Sequence, residues 1–186
     1  MIRKATPEDS KYIIPLMMEA IGTIAYELSG TMNRDETMRI LEQFFKQPDN
    51  RLSWQNSMVW LQEGVPVGYA LAYAGYKLVE LDRPLEERLS TLQGNPVQLI
   101  KETEGEEYYL DSLAVDSSQR GLGIGTKLMK AFELEAAQFG FSIASLLVNV
   151  ANTRAKQLYE AQGYTADGKI ITIAGEDYEH MVKKVQ

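Results

Sequence analysis

Six residues, Arg120-Gly121-Leu122-Gly123-Ile124-Gly125, stand between an apolar strand pattern and a long amphipathic helix pattern. Three glycines alternate with two apolar residues, directly ahead of Thr126-Lys127-Leu128-Met129. Glycine lets backbone amides approach a ligand closely and tolerates positive φ. A loop of free N–H groups leading into a helix N-terminus suits phosphate oxygens. Arg120 adds a fixed positive charge with forked donors. The ligand such a loop suits is a diphosphate. Two common phosphate loops fit poorly. A P-loop needs Gly-Lys-Ser/Thr, and here Gly125 is followed by Thr126-Lys127. A dinucleotide fingerprint needs G-x-G-x-x-G directly after its strand. Here the spacing is G-x-G-x-G, and Asp116-Ser117-Ser118-Gln119 intervenes.

Charge and composition remove whole classes of function. A net charge of −7 opposes nucleic acid as a partner, because phosphate backbones demand a basic face. The chain has no cysteine and one histidine, His180. Disulfides, thiolate metal sites and a cysteine acyl-enzyme are excluded, and no metal site is expected. His180, in a terminal hairpin pattern, reads as a surface residue. No signal peptide pattern opens the sequence, and no apolar run approaches a membrane span. The expectation is a cytoplasmic protein without a membrane partner. With 186 residues, 45% of them hydrophobic, a single domain over 1–186 is expected.

The pattern along the chain alternates strands and helices. Ile2 to Ala5 reads as a short strand. Thr6-Pro7-Glu8-Asp9 starts a helix, with a capping hydroxyl, Pro at its first position and acids in the first turn. Ile13, Leu16, Met17, Ala20, Ile21 and Ile24 give it a continuous apolar stripe. A second helix covers Asp35 to Phe45. Met58 to Leu61 and Val67 to Tyr73 are strands joined at Glu63-Gly64-Val65-Pro66. Tyr108 to Val115 is a strand, and Thr126 to Phe139 a helix closed by Gly140. Ile143 to Val150 is a buried strand by its continuous apolar run. Asn152 caps a helix ending at Gln162, and Ile170 to Ala174 with Tyr178 to Val182 form a last hairpin. The order is β-α-α-β-β-(insert)-β-α-β-α-β-β.

That order, the Arg-x-x-Gly-x-Gly loop of Arg120, Gly123 and Gly125, and two further motifs resemble the Gcn5-related N-acetyltransferases (GNAT). Tyr109-Leu110-Asp111-Ser112-Leu113-Ala114-Val115-Asp116 looks like the family's fourth strand. The segment from Asn152 to Tyr164 looks like its closing motif, Asn-x-x-Ala-x-x-x-Tyr-x-x-x-Gly-Phe/Tyr. The resemblance implies an α/β fold: a mixed, mostly antiparallel central sheet flanked by helices, with its fourth and fifth strands splayed apart. It implies acetyl-CoA as the cofactor, with coenzyme A as product. The pantetheine arm is then held by the exposed backbone of Leu113, Ala114 and Val115. The pyrophosphate is held by Arg120, Gly121, Leu122, Gly123, Ile124, Gly125 and Thr126. Asn152 and Tyr159 complete the cofactor contacts. A backbone N–H near Leu113 or Ala114 faces the thioester oxygen.

Acetyl transfer to an amine also needs proton transfers. A phenol protonates a leaving thiolate well, and Tyr159 is the candidate acid. Family members often carry Glu or His at the positions matching Tyr109 and Asp111. Tyr109 departs from the Glu of histone-type members. Strand alternation puts Tyr109, Asp111 and Leu113 on one face. Asp111 is the candidate relay for the amine's proton or the attractor of a cationic amine, with Glu107 as alternative. Gly75 to Glu107 forms a substrate-side insert with an inner helix at Leu85 to Leu92. Its eight acids and four bases leave an excess of four negative charges. An acidic lid concentrates cationic amines. The partner expected is a small-molecule amine, with a homodimer left open. A peptide N-terminus or lysine, and a non-catalytic acyl-CoA sensor, are the alternatives.

Overall fold

Hydrogen-bonded strand pairing and two apolar cores organise the chain, described over residues 1–186 in a computed structural model. The strands are β1 (Ile2–Lys4), β2 (Ser57–Gln62), β3 (Val65–Ala74), β4 (Glu107–Val115), β5 (Ile143–Asn149), β6 (Thr165–Ile173) and β7 (Glu176–Lys184). The helices are α1 (Ser10–Ile21), α2 (Thr23–Ser29), α3 (Arg34–Lys46), α4 (Leu78–Gln93), α5 (Ile124–Gln138) and α6 (Thr153–Ala161). One seven-stranded sheet runs β1-β2-β3-β4-β5-β7-β6. Only the β4–β5 pair is parallel.

Each face of the sheet carries its own core. α1 to α4 cover one face through Ile13, Met17, Leu28, Ile40, Phe45 and Leu85, against Tyr69, Leu71, Tyr73 and Tyr109 of the sheet. α5 covers the other through Leu128, Met129, Phe132 and Ala136, against Ala70, Tyr108, Leu110 and Leu146. Alternate residues of β3 and β4 therefore serve opposite cores, as the pleat requires. No helix is long and apolar enough to cross a membrane.

Several elements differ from their sequence pattern. The single stripe from Ile13 to Ile24 is two helices, because Gly22 interrupts it at φ 52°. The inner helix of the insert is not Leu85–Leu92 but α4, sixteen residues long, with Pro84 inside it. Leu78, Leu81, Leu85 and Leu89 are spaced at one-turn intervals and all reach the core, so the apolar face extends the helix across the proline. Phe139 is not on the buried face of α5. It is the C-cap residue and is 64% exposed.

Candidate active site at the β4–β5 splay

Pairing between β4 and β5 ends at Leu110↔Leu146, although β4 continues to Val115 and β5 to Asn149. Past that point the two strands part, leaving the β5-facing edge of residues 111–115 without a strand partner. The β3 register also shifts here: Leu71 pairs with Ser112, but Ala72 pairs with Leu110. Asp111 is the extra residue of a β-bulge. A bulge reverses the side-chain alternation beyond it. Tyr109 and Asp111 face the α1–α4 core, but Leu113 packs on the α5 side, so the three do not share one face. Ser112 and Ala114 take the place expected of Leu113.

α5 begins inside the glycine loop. Gly123 is its N-cap at φ 72°, and Gly121 lies at φ 83°. The first intrahelical bond runs from Lys127 N to Gly123 O, so the amides of Ile124, Gly125 and Thr126 have no helical acceptor. The first turn holds no acid. A Cβ built at Gly121 or Gly123 meets nothing within 4 Å, so the space over the loop is open. Leu122 is 59% exposed beside it. Arg120 does not project freely over the loop. Its Nε donates to Val115 O at 3.0 Å, and its Nη2 pairs with Glu19 at 3.0 Å. This ties the loop to the end of β4.

Asn152 caps α6, its side chain accepting from Ala155 N at 3.1 Å. Tyr159 packs with Ala155 against the α5-side core, its ring 6.3 Å from that of Tyr164. Its hydroxyl makes no hydrogen bond within the chain, and burial pushes its pKa up to about 12.

Asp111 is not a solvated strand residue. Its Oδ2 accepts from Arg51 Nη2 at 2.6 Å, Arg51 Nε at 3.1 Å and Tyr73 Oη at 2.6 Å. The same guanidinium donates to Glu102 Oε1 at 2.8 Å and Asp82 Oδ1 at 3.3 Å. Tyr109 donates to Glu102 Oε2 at 2.7 Å. Tyr109 is therefore no exposed catalytic phenol: it is 1% exposed and its proton is engaged. Three carboxylates surround one guanidinium, an excess of two negative charges if all ionise. Burying such an excess is costly. Burial accordingly raises Asp82 to about 6, despite Arg51, which is shared among three acids and lies farthest from this one. Glu102 is raised too, again by burial. Arg51 was not legible in the sequence. It is a lone arginine in a polar loop, and its carboxylates come from α4, the following connection and β4.

The alternative base fails on position and chemistry. Glu107 opens β4, four residues and about 13 Å of strand before Asp111. His180 Nε2 lies 3.1 Å from its Oε2, and Thr103 Oγ1 donates to the same oxygen at 2.8 Å. Burial opposes its charge, but these contacts win and hold it down to about 2. His180 is not a surface residue. It is 2% exposed, between Glu107 and Asp167, the latter 2.8 Å from Nδ1. Burial disfavours its charge, but the two carboxylates outweigh it and raise its pKa. Pairing of β6 with β7 skips from Ala166 to Ile170, and that excursion carries Asp167 to the histidine.

The insert is not an acidic lid. Asp82, Glu102 and Glu107, three of its eight acids, are buried inside these two clusters. Its remaining acids, Glu80, Glu86, Glu87, Glu104 and Glu106, nearly balance Lys77, Arg83, Arg88 and Lys101. The charge excess is inside the protein, on the α1–α4 side of the splay.

A seven-stranded mixed sheet, a parting of β4 from β5 and a glycine loop feeding α5 define a class of acyl-transferring protein. Residues 18–164 match the family model described as the acetyltransferase (GNAT) family, and the chain belongs to that family. A solved structure titled an acetyltransferase is 30% identical with a TM-score of 0.78, all of both chains being covered. An N-acetyltransferase from Staphylococcus aureus Mu50 is 25% identical with a TM-score of 0.82, over 98% of this chain and 100% of its own. The ribosomal-protein-S18-alanine N-acetyltransferase from Escherichia coli shares the fold, at 17% identity and a TM-score of 0.60, over 100% of this chain and 94% of its own. No curated protein matches the sequence significantly.

Proposed function

We propose that this protein transfers an acetyl group from acetyl-CoA to the primary amine of a small cationic molecule, by direct attack in a ternary complex. The observation that carries the reading is the closeness of the splay to the α5 N-terminus: a Cβ built at Gly125 lies 3.8 Å from Leu113 and 3.9 Å from Val115, beyond the last β4–β5 pair. The residues present fit the cofactor. The free amides of Ile124, Gly125 and Thr126 suit phosphate oxygens in a turn without acids. The unpaired edge of Leu113, Ala114 and Val115 suits the amides of a pantetheine arm, by strand addition. Bound there, acetyl-CoA supplies an activated thioester.

The remaining chemistry belongs to the chain. A backbone N–H near Leu113 or Ala114 donates to the acyl oxygen. Tyr159 donates its proton to the leaving sulfur. Its hydroxyl has no partner within the chain, as a group reserved for a ligand requires. Asp111 acts by charge, since its Oδ2 is fully engaged and its carboxylate is only 5% exposed. With Glu102 and Asp82 it makes the acceptor side negative, which favours a cation over a neutral amine. The α4 insert frames this side. The test is acetyl-CoA-dependent release of free thiol across a panel of amines, with Tyr159→Phe as control. Turnover loss in that variant with coenzyme A affinity retained supports the enzyme over a non-catalytic sensor.

A further inference from the structure

Tyr69 and Ser112 share one hydrogen bond, Tyr69 Oη donating to Ser112 Oγ at 2.9 Å. Two hydroxyls carry two protons, and this contact uses one. Tyr69 is 0% exposed and Ser112 7%. The hydroxyl proton of Ser112 has no acceptor within the chain, although buried polar groups are almost always satisfied. Its place is specific. Ser112 follows the bulged Asp111, on the β4 segment beyond its last pair with β5. Tyr159, whose hydroxyl is also without a partner, lies close enough to Tyr69 to add to the upward push that burial gives its phenol. An unused donor thus stands at the splay, held from behind by a rigid phenol.

We propose that Ser112 is a further catalytic residue, its hydroxyl donating to the carbonyl oxygen of the transferred acyl group, with Tyr69 as the positioning residue that fixes its direction. The inference rests on the acetyl-transfer reading above. As the amine adds, negative charge grows on that oxygen, and a preset donor gains strength with it. No bond to Ser112 forms or breaks, and its proton stays on Oγ. The role is a second, side-chain donor beside the backbone amide of β4.

The experiment uses the full chain with Ser112→Ala, Tyr69→Phe, the double variant and Ser112→Thr. Turnover and calorimetric affinity for coenzyme A are read together. Coenzyme A lacks the acyl oxygen, so its affinity stays parental in Ser112→Ala while kcat falls about 10²-fold. Tyr69→Phe loses less, the double variant loses no more than Ser112→Ala, and Ser112→Thr recovers part of the rate. Parental kcat in folded Ser112→Ala, or an equal loss of coenzyme A affinity, overturns the role of Ser112 alone. A parent that neither binds coenzyme A nor releases thiol overturns the acetyl-transfer reading, and this inference with it.

Discussion

Arg51 Nη2 lies 2.6 Å from Asp111 Oδ2, joining two residues 60 positions apart at the point where β4 bulges and leaves β5. The arginine is 2% exposed and also reaches Glu102 and Asp82. It therefore ties α4, the connection after it and β4 into one unit beneath the splay. Arg51→Met keeps the bulk and removes the charge, leaving three carboxylates without a counter-ion. The expected loss is about 3–5 kcal/mol of stability at neutral pH, by urea denaturation. A loss below about 1 kcal/mol, the level of an exposed pair, contradicts a central role.

Asp82 gives the cluster a pH dependence. Its folded pKa is raised to about 6 by burial, above its ordinary value of 3.8. A raised acid favours folding while protonated. Its contribution is fully present below the ordinary value and is lost as pH rises through about 6. Asp82→Asn removes that slope. Stability of the variant measured from pH 4 to 7 is expected to fall less than that of the parent. Parallel curves show that Asp82 ionises as freely folded as unfolded.

His180 behaves in the same sense at higher pH. Its folded pKa is raised by Glu107 and Asp167 against burial. Its contribution is complete below about 6.5 and disappears as pH rises through the raised value. Glu107, lowered to about 2, works oppositely: its contribution is present above 4.5 and lost as pH falls toward 2. His180→Gln is expected to remove the alkaline decline and weaken the carboxylate's hold at the acid end. Chemical denaturation at stepped pH reads both limbs. An unchanged alkaline limb assigns that decline to other groups.

The sequence disclosed elements that depend on local pattern. The continuous apolar run of β5, the Asn152 cap and the glycine loop each carry their signal within a few residues, and the structure has all three. What depended on pairing was hidden. The Asp111 bulge exists only against β3, and with it went the assumed shared face of Tyr109, Asp111 and Leu113. His180 looked exposed because Glu107 is 73 residues away and Asp167 reaches it only through an irregular stretch of β6. Asp82 and Glu102 of the insert read as surface charge for the same reason: their counter-ion, Arg51, lies in another segment.

Gly123 and Gly125 answer differently to substitution. Gly123 is the left-handed N-cap of α5, where a β-branched residue is strained and its side chain enters the open space above the loop. Gly125 has helical geometry, and a Cβ there comes no closer than 3.8 Å to Leu113. Gly123→Val is expected to weaken coenzyme A binding at least about tenfold, or 1.4 kcal/mol. Gly125→Ala is expected to leave the fold intact and perturb binding less. Equal affinities for parent and folded Gly123→Val in calorimetry remove the loop from the cofactor site.

Free-thiol release from acetyl-CoA is the direct measure of acetyl transfer to a cationic amine at the splay. The parent is assayed with matched cationic and neutral primary amines at low salt and at 0.15 M, where the screening length is about 8 Å. Thiol release is expected to require an amine, with a lower KM for the cation and a preference that weakens as salt rises. Asp111→Asn is expected to raise the cation's KM, while Glu87→Gln and Glu104→Gln on the exposed insert do not. Tyr159→Phe is expected to lower turnover about 10²–10⁴-fold with coenzyme A affinity retained. Absence of amine-dependent thiol release, in a protein that binds coenzyme A, rules out acetyl transfer to an amine and leaves a binding module on this fold.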